Sequence, residues 1–418
     1  MTSDNSEPPP DDHPFARSVG LWFPWVIGSI LILVFVARDW LLTRNGIITV
    51  LDDFGHGHSV VWGRDFINVW TGGHLVRDGQ FATLYDPTTY AAFQHNLFGP
   101  IDPHNYSYPP TSYLLAVGLS LLPYPLALVV WLTATAWLFA AAARSWWPKG
   151  AGPYWLSVAT PAALVNLWVG QYGFLVGALF LLGWQHLDRR PVLAGMFFGL
   201  MLIKPHLAVL VPLALLIRGD WRAIGSAAAT VAASVLVTVA FYGVTPWVEY
   251  LFRTAGVQAT MIDAQGNFFG SLSTSMTTAL LQAGAPWSFA IMCQAVSVIL
   301  GIALVGLAAR RRAPTRELAL LVATCTFLVL PYAFSYDLTV VAIGALWVLT
   351  RAGLRGLDEG LSTLGFVAPQ LGIAAALVSL PLMPFMLVGL AIAQFRQLDF
   401  PQISGRAAPA SADATRST

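Results

Sequence analysis

The chain has 418 residues, 56% of them hydrophobic and only 10% charged, with a mean hydropathy of +0.65 and a formal net charge of +1. Soluble domains carry about 25% charged residues, so this balance excludes an ordinary soluble globular protein and marks a polytopic membrane protein. A near-neutral total likewise leaves no electrostatic footprint for nucleic acid.

Taken from the N-terminus, residues 1–18 (MTSDNSEPPPDDHPFARS) are polar, acidic and proline-rich. Such a stretch cannot bury enough apolar area to fold, and a disordered cytoplasmic tail is expected there. It has no basic n-region and no cleavage site, so it does not read as a removable signal peptide. Residues 398–418, ending in SGRAAPASADATRST, are expected to be a disordered tail for the same compositional reason. Residues 19–397 between them read as a single membrane domain. The two cysteines, Cys293 and Cys325, lie in apolar runs, where a thiol acts as a small hydrophobe and no disulfide framework is expected.

Apolar runs occur at about 19–37, 108–122, 124–143, 153–169, 172–187, 191–203, 206–217, 223–243, 286–309, 317–331, 338–350, 361–379 and 383–395. A helix needs about 20 residues to cross about 30 Å of hydrocarbon. Several runs are shorter, so they read as tilted partners, half-helices or re-entrant pieces. About twelve spans are expected in an all-α bundle. Thirteen runs cannot leave both termini on one side, and one of the three between 108 and 169 is expected to be re-entrant or bent.

Basic residues cluster at alternate connections: Arg189 and Arg190, Arg218 and Arg222, Arg310 to Arg312 with Arg316, and Arg351 with Arg355. These are the expected cytoplasmic turns. Gly170-Gln171-Tyr172, Lys204-Pro205-His206, residues 244–285 and the segment from Pro331 to Asp337 then face outward. Arg17 keeps the N-terminus inside and puts residues 42–106 outside as a first outer loop.

Most of that loop belongs to the long polar interval of the chain, from Asp52 to Pro110, with five of the eight histidines and the acids Asp52, Asp53, Asp65, Asp78, Asp86 and Asp102. A hydrophobic protein that gathers its titratable groups in one place is expected to bind or react there. Within it, Arg64 to Asp78 reads as a helix lying along the membrane surface. Phe66, Val69, Trp70, Gly73 and Val76 recur at helical spacing, with Arg64, Asn68, His74 and Arg77 off that stripe. Gly63 and Gly79 bracket it. Asp65 falls in its first turn, where the helix dipole favours the ionised form. Tyr85-Asp86-Pro87 marks a turn, and Thr89 to Phe98 a second short helix. The second outer loop, residues 244–285, carries dispersed charges (Glu249, Arg253, Asp263) and then a loop entering a short helix.

Asp65 is the leading chemical residue, because catalysis at a sugar or lipid hydroxyl needs a carboxylate fixed near the interface. A purely structural carboxylate paired with Arg64 fits the same pattern, and Asp52 and Asp53 compete more weakly. His56-Gly57-His58 has a spacing compatible with metal ligation. The glycines around it favour a solvated or substrate-contacting loop, and no metal is expected.

Lys204 lies between two runs of about twelve residues, or about 18 Å of helix each, so it sits at the tip of a short hairpin partly within the membrane. A lysine there costs about 3 kcal/mol unless an anion or a water cavity receives it, and a lipid phosphate is the obvious anion. Snorkelling to the surface is the plainer alternative. Asp337 can pair with Lys204 or Arg253, bind acceptor hydroxyls, or cap the following helix. Gln171 can hydrogen-bond a sugar or satisfy backbone groups freed at a helix break.

Together these segments resemble glycosyltransferase family 87, the polyprenol-phosphate-sugar-dependent enzymes that include mannosyltransferases of phosphatidylinositol mannoside assembly. The resemblance rests on Gly63-Arg64-Asp65-Phe66 through Trp70, Leu84-Tyr85-Asp86, Tyr106-Ser107-Tyr108-Pro109-Pro110, Gly170-Gln171-Tyr172, Lys204-Pro205 and Pro331 to Asp337, and covers roughly residues 20–350. It implies a GT-C fold, a bundle of membrane helices carrying extracytoplasmic loops and short interfacial helices, in the inner membrane. It also implies a lipid-linked sugar-phosphate donor and a lipid or glycan acceptor. Asp65 matches the general base, and Lys204 lies in a segment connected with the donor phosphate. One departure stands out: where the mannosyltransferase branch carries histidines, this chain has Tyr336 and Asp337, which leaves the sugar open.

The expected reaction is an inverting transfer. Asp65 is the catalytic residue, and Lys204, His206, Arg64, Gln171, Tyr108 and Asp337 bind substrate. No cofactor is expected, since fixed cations can neutralise a monophosphate leaving group. The rival expectations are a transporter or flippase of lipid-linked glycans, which would need paired repeats with broken helices, and a glycan polymerase or ligase, which would need more outer-face arginines.

Overall fold

A computed structural model describes residues 43–44, 47–51, 57–61, 63–99, 101, 104–263, 268–351, 354 and 356–400. Expectations for residues 1–18, the run 19–37, Arg17, Asp52, Asp53, His56 and the tail beyond residue 400 lie outside the described residues. The His58 side chain lies outside them as well.

The described chain is overwhelmingly helical, as the apolar runs predict. One addition is a three-stranded antiparallel meander at Thr43–Arg44, Ile47–Leu51 and Gly57–Val61, with Ile47 opposite Val61 and Val50 opposite His58. Its β-branched content (Ile47, Ile48, Thr49, Val50, Val60, Val61) suits strand rather than helix.

Among the described residues, three helices are long and apolar enough to cross a membrane: Tyr124–Ala143, Trp221–Tyr242 and Trp287–Arg310. The Trp221–Tyr242 helix is the barest of them, with 6% of its most apolar stretch buried. Several of the other runs break early. Helices Pro161–Val169, Pro191–Leu200 and Val211–Arg218 have 9, 10 and 8 residues, with proline in the first turn of each. Gly170 and Gly219, in the left-handed conformation, stop the first and third of these. Of the three runs between 108 and 169, the long Tyr124–Ala143 helix is flanked by two short ones, Tyr113–Ser120 and Pro161–Val169.

Two expectations for the polar intervals change. The Phe66–Arg77 helix forms between Gly63 and Gly79, both at positive φ, but Phe66, Ile67, Asn68, Val69, Thr71, Gly72, Gly73, Leu75 and Val76 are all buried. It therefore lies inside the fold instead of showing one face to water. Gly73 makes this possible, since a methyl there would strike the Ala116 carbonyl of the Tyr113–Ser120 helix. Residues 244–285 are mostly helix: Thr245–Asp263, Phe268–Leu272 and Met276–Gln282. Two of the three charges read as dispersed form an i,i+4 pair, Glu249 with Arg253; the Asp263 side chain lies outside the described residues. On the same helix Trp247 Nε1 donates to Thr238 Oγ1 at 3.0 Å, and Tyr250 packs 6.1 Å from the Tyr85 ring.

The bundle has two chemically distinct ends. At one, Arg218 Nη2 donates to Asp188 Oδ1 at 2.8 Å and Arg218 Nη1 to Thr315 Oγ1 at 3.0 Å. Arg316 reaches the Trp146 carbonyl at 2.5 Å, and Arg351 holds Glu317 and Asp399 at 2.8 Å each. The packed region thus runs past residue 397 to include Asp399. Helices Gly173–His186, Val211–Arg218, Thr315–Val329 and Thr339–Leu349 all have one terminus at this arginine-rich end. Their other termini lead to Gln171, toward Lys204, to Phe334 and to Asp337. Because Arg218 returns to Asp188, the segment between them is a hairpin with Lys204 near its tip.

Candidate active site

The site begins with two chain breaks locked together. Gly170 ends the Pro161–Val169 helix at φ 74°, and the adjacent Val169 carbonyl accepts from the Asp65 backbone N–H at 2.8 Å. Trp131 Nε1 donates to the Gly170 carbonyl at 3.0 Å. The approach is so close that a Cβ on Gly170 would fall 2.7 Å from Phe66 Cβ. Asp65 and Gln171 are in this way fixed side by side, although 106 residues separate them.

Asp65 precedes the Phe66–Arg77 helix, but its side chain makes no capping hydrogen bond. Gln171 Nε2 donates to its Oδ2 at 2.9 Å, whereas Oδ1 is buried and has no hydrogen-bond partner among the described residues. Gln171 is held in turn by Tyr108, whose hydroxyl donates to Oε1 at 3.1 Å and lies 2.8 Å from Nε2. The Tyr172 backbone N–H donates to the same Oε1 at 3.1 Å, and the Tyr336 hydroxyl lies 3.5 Å from Nε2. Burial pushes the Asp65 carboxyl above the ordinary carboxylate range. The Arg64 charge, the Gln171 hydrogen bond, the Lys204 charge and, least of these, a Tyr336 hydrogen bond oppose that rise without cancelling it. The helix N-terminus was expected to favour the ionised form; desolvation outweighs it.

On the other wall, Lys204 sits between two 3₁₀ turns, Met201–Ile203 and Pro205–Ala208. Its Nζ donates to both Asp337 oxygens, Oδ1 at 2.8 Å and Oδ2 at 2.6 Å, and stands 4.8 Å above the Tyr336 ring. The two side chains are 6% and 0% exposed, so this is a buried pair. Of the alternatives open for Asp337, the Lys204 pair is the one formed. Arg253 pairs with Glu249 and Asp86, and the Thr339–Leu349 helix has no side-chain cap.

A cavity of about 60 Å³ connects the two walls. Asp65, Gln171, Tyr108, Lys204 and His206 line it, five of the seven residues expected from sequence. Asp337 stands behind Lys204, and Arg64, 5% exposed, acts on Asp65 through its charge without lining the space. Sequence reasoning missed Asn68, His104, Asn105, Ser107 and Tyr332 as lining residues, and noted Tyr336 only as a departure from the mannosyltransferase pattern. Asn68 had left a trace by falling off the apolar stripe of its helix. Among the described residues no cluster of three or more His, Cys, Asp or Glu side chains could hold a metal ion.

Chemically, the cavity offers a carboxylate with one oxygen tethered and the other buried without a hydrogen-bond partner among the described residues, across from a wall that carries an ammonium group. That combination can take a proton from a hydroxyl while an anionic group departs on the opposite side. The family model for glycosyltransferase family 87 matches residues 106–331. The interval includes Tyr108, Gln171, Lys204 and His206, while Asp65 precedes it and Tyr336 and Asp337 follow it. No curated protein and no solved structure matched the chain.

Proposed function

The chain belongs to glycosyltransferase family 87, and from that premise we propose that it moves a sugar from a polyprenyl-phosphate donor to a hydroxyl of a lipid or glycan acceptor, with inversion at the anomeric carbon. Asp65 Oδ1 accepts the proton of the acceptor hydroxyl as the oxygen bonds to the anomeric carbon. The bond from that carbon to the phosphate oxygen breaks, and its electron pair leaves with the polyprenyl phosphate. Lys204 stabilises the developing charge, helped by His206, and the Arg64 charge supports the ionised state of Asp65. Tyr108 and Gln171 orient Asp65 and contact the sugar, and Asp337 holds Lys204.

The observation that carries this reading is the Asp65 carboxylate, with Oδ2 held by Gln171 and Oδ1 unpartnered among the described residues, in the same cavity as Lys204. Its sidedness is supported by the arginine-rich opposite end of the bundle. The positive-inside rule assigns that end to the cytoplasm and the reaction to the extracytoplasmic face of the inner membrane. Membrane lipids deliver the donor laterally, so no nucleotide-binding loop is needed.

The test supplies purified protein with a polyprenyl-phosphate sugar and a lipid acceptor extract, and compares wild type with Asp65→Asn. The substitution keeps size and a hydrogen-bond partner for Gln171 but removes the base, so turnover should drop by about 10²- to 10⁴-fold. Equal turnover would remove Asp65 from the mechanism. Flux of the lipid-linked sugar across the membrane without a glycosidic product would replace transferase by transporter.

A further inference from the structure

Among the described residues that line the cavity, Lys204 is the only lysine or arginine, yet its charge is already matched by a carboxylate. Asp337 takes two of the three N–H donors of the ammonium group. The Asp337 side chain is fully buried and does not line the cavity, so it holds the lysine from behind. An anion arriving from the cavity would meet the remaining face of the ammonium and share it with Asp337. Tyr336, whose ring faces Nζ at 4.8 Å, keeps the lysine from swinging away.

This arrangement matters because the two anions that visit the site in the reaction proposed above differ in charge. The donor is a phosphodiester with one negative charge. The departing carrier is a phosphomonoester, whose second ionisation lies near pH 6, so it approaches two. An unopposed buried ammonium would hold the product more tightly than the substrate. We propose that Asp337 is a positioning residue that tunes the grip of Lys204 on phosphate: it competes for the ammonium, weakens product retention and lets the spent carrier leave. The inference rests on the glycosyl-transfer reading for its biological sense, but its central claim concerns binding and can be measured without turnover.

The experiment uses the full chain purified in lipid nanodiscs, with a short-chain prenyl monophosphate as probe and binding followed directly. Asp337→Asn keeps the shape and one acceptor oxygen but removes the competing charge. Affinity for the prenyl monophosphate should rise by about tenfold or more. In turnover assays kcat and the KM for donor should both fall, with stronger inhibition by the prenyl monophosphate. Asp337→Glu should return the values toward wild type. A role limited to folding would lower stability and kcat without tightening phosphate binding, and unchanged or weaker binding by folded Asp337→Asn overturns the proposal.

A second arm covers the case in which Asp337→Asn does not fold. The double variant Lys204→Met with Asp337→Leu replaces the pair by apolar groups and should fold but lose prenyl monophosphate binding; binding equal to wild type would show that Lys204 is not the cation and would overturn the proposal. The two readings fail separately. Absence of any glycosidic product from wild type, with tighter phosphate binding in Asp337→Asn, would remove the transfer reaction and leave the counter-ion role standing.

Discussion

Gln171 Nε2 donates to Asp65 Oδ2 at 2.9 Å, while Oδ1 is buried without a hydrogen-bond partner among the described residues. In the proposed reaction that asymmetry serves a general base: the tether fixes the direction of the lone pairs, and Oδ1 receives the proton.

As the proposed base Asp65 must be ionised, and burial raises its pKa. The acid limb of kcat/KM should therefore lie above the ordinary carboxylate range, with full activity above the raised pKa and loss as pH falls through it. The Arg64 charge lowers that pKa, so Arg64→Gln should move the limb to still higher pH. A pH profile that stays in place in Arg64→Gln would show that another group sets it.

Gln171→Leu should fold but leave a buried charged oxygen without its donor, at a cost of about 1–3 kcal/mol. The expected kinetic signature is a fall in kcat of about tenfold or more, from loss of orientation, with a smaller change in donor KM. A KM effect with kcat intact would mean that Gln171 binds sugar and does not orient the base.

Gly170→Ala and Gly219→Ala form a matched comparison, since both positions are left-handed helix ends, at φ 74° and 80°. Each should lose about 1–2 kcal/mol from the backbone conformation alone. At Gly219 the nearest atom to a new Cβ is Trp221 Nε1 at 3.9 Å, whereas at Gly170 it is Phe66 Cβ at 2.7 Å. Gly219→Ala should keep full transfer activity, and Gly170→Ala should lose it as Asp65 is pushed out of place. Thermal unfolding together with a transfer assay separates the two effects.

Lys204→Met leaves the Asp337 carboxylate buried and unpaired, and should cost about 3–5 kcal/mol. Adding Asp337→Leu should recover most of that stability without recovering transfer. Denaturation of the two variants in the same detergent gives the comparison, and a double variant no more stable than Lys204→Met would show that the pair stabilises beyond charge balance.

The helical class, the membrane character and the positions of the main breaks were legible in the sequence, because composition and local periodicity carry them. Lys204-Pro205 at a hairpin tip and Gly170-Gln171 after a helix end could be read from run lengths and from proline and glycine chemistry alone. The burial of Phe66–Arg77 could not, since Gly72 and Gly73 look the same whether they face water or the neighbouring Tyr113–Ser120 helix. Residues 244–285 read as loop because their polar residues were scored one at a time; the Glu249–Arg253 pair and the packing of Trp247 and Tyr250 make that stretch helical.

By itself, then, the order of residues determined which groups were available: one acid after a glycine turn, one lysine at an apolar tip, one glutamine at a helix break. Only the tertiary structure decided their partners. Gln171 took Asp65 across 106 residues and Lys204 took Asp337 across 133, since a buried charge or amide must find its complement wherever packing brings one within reach. Local sequence carries no information about that distance in space.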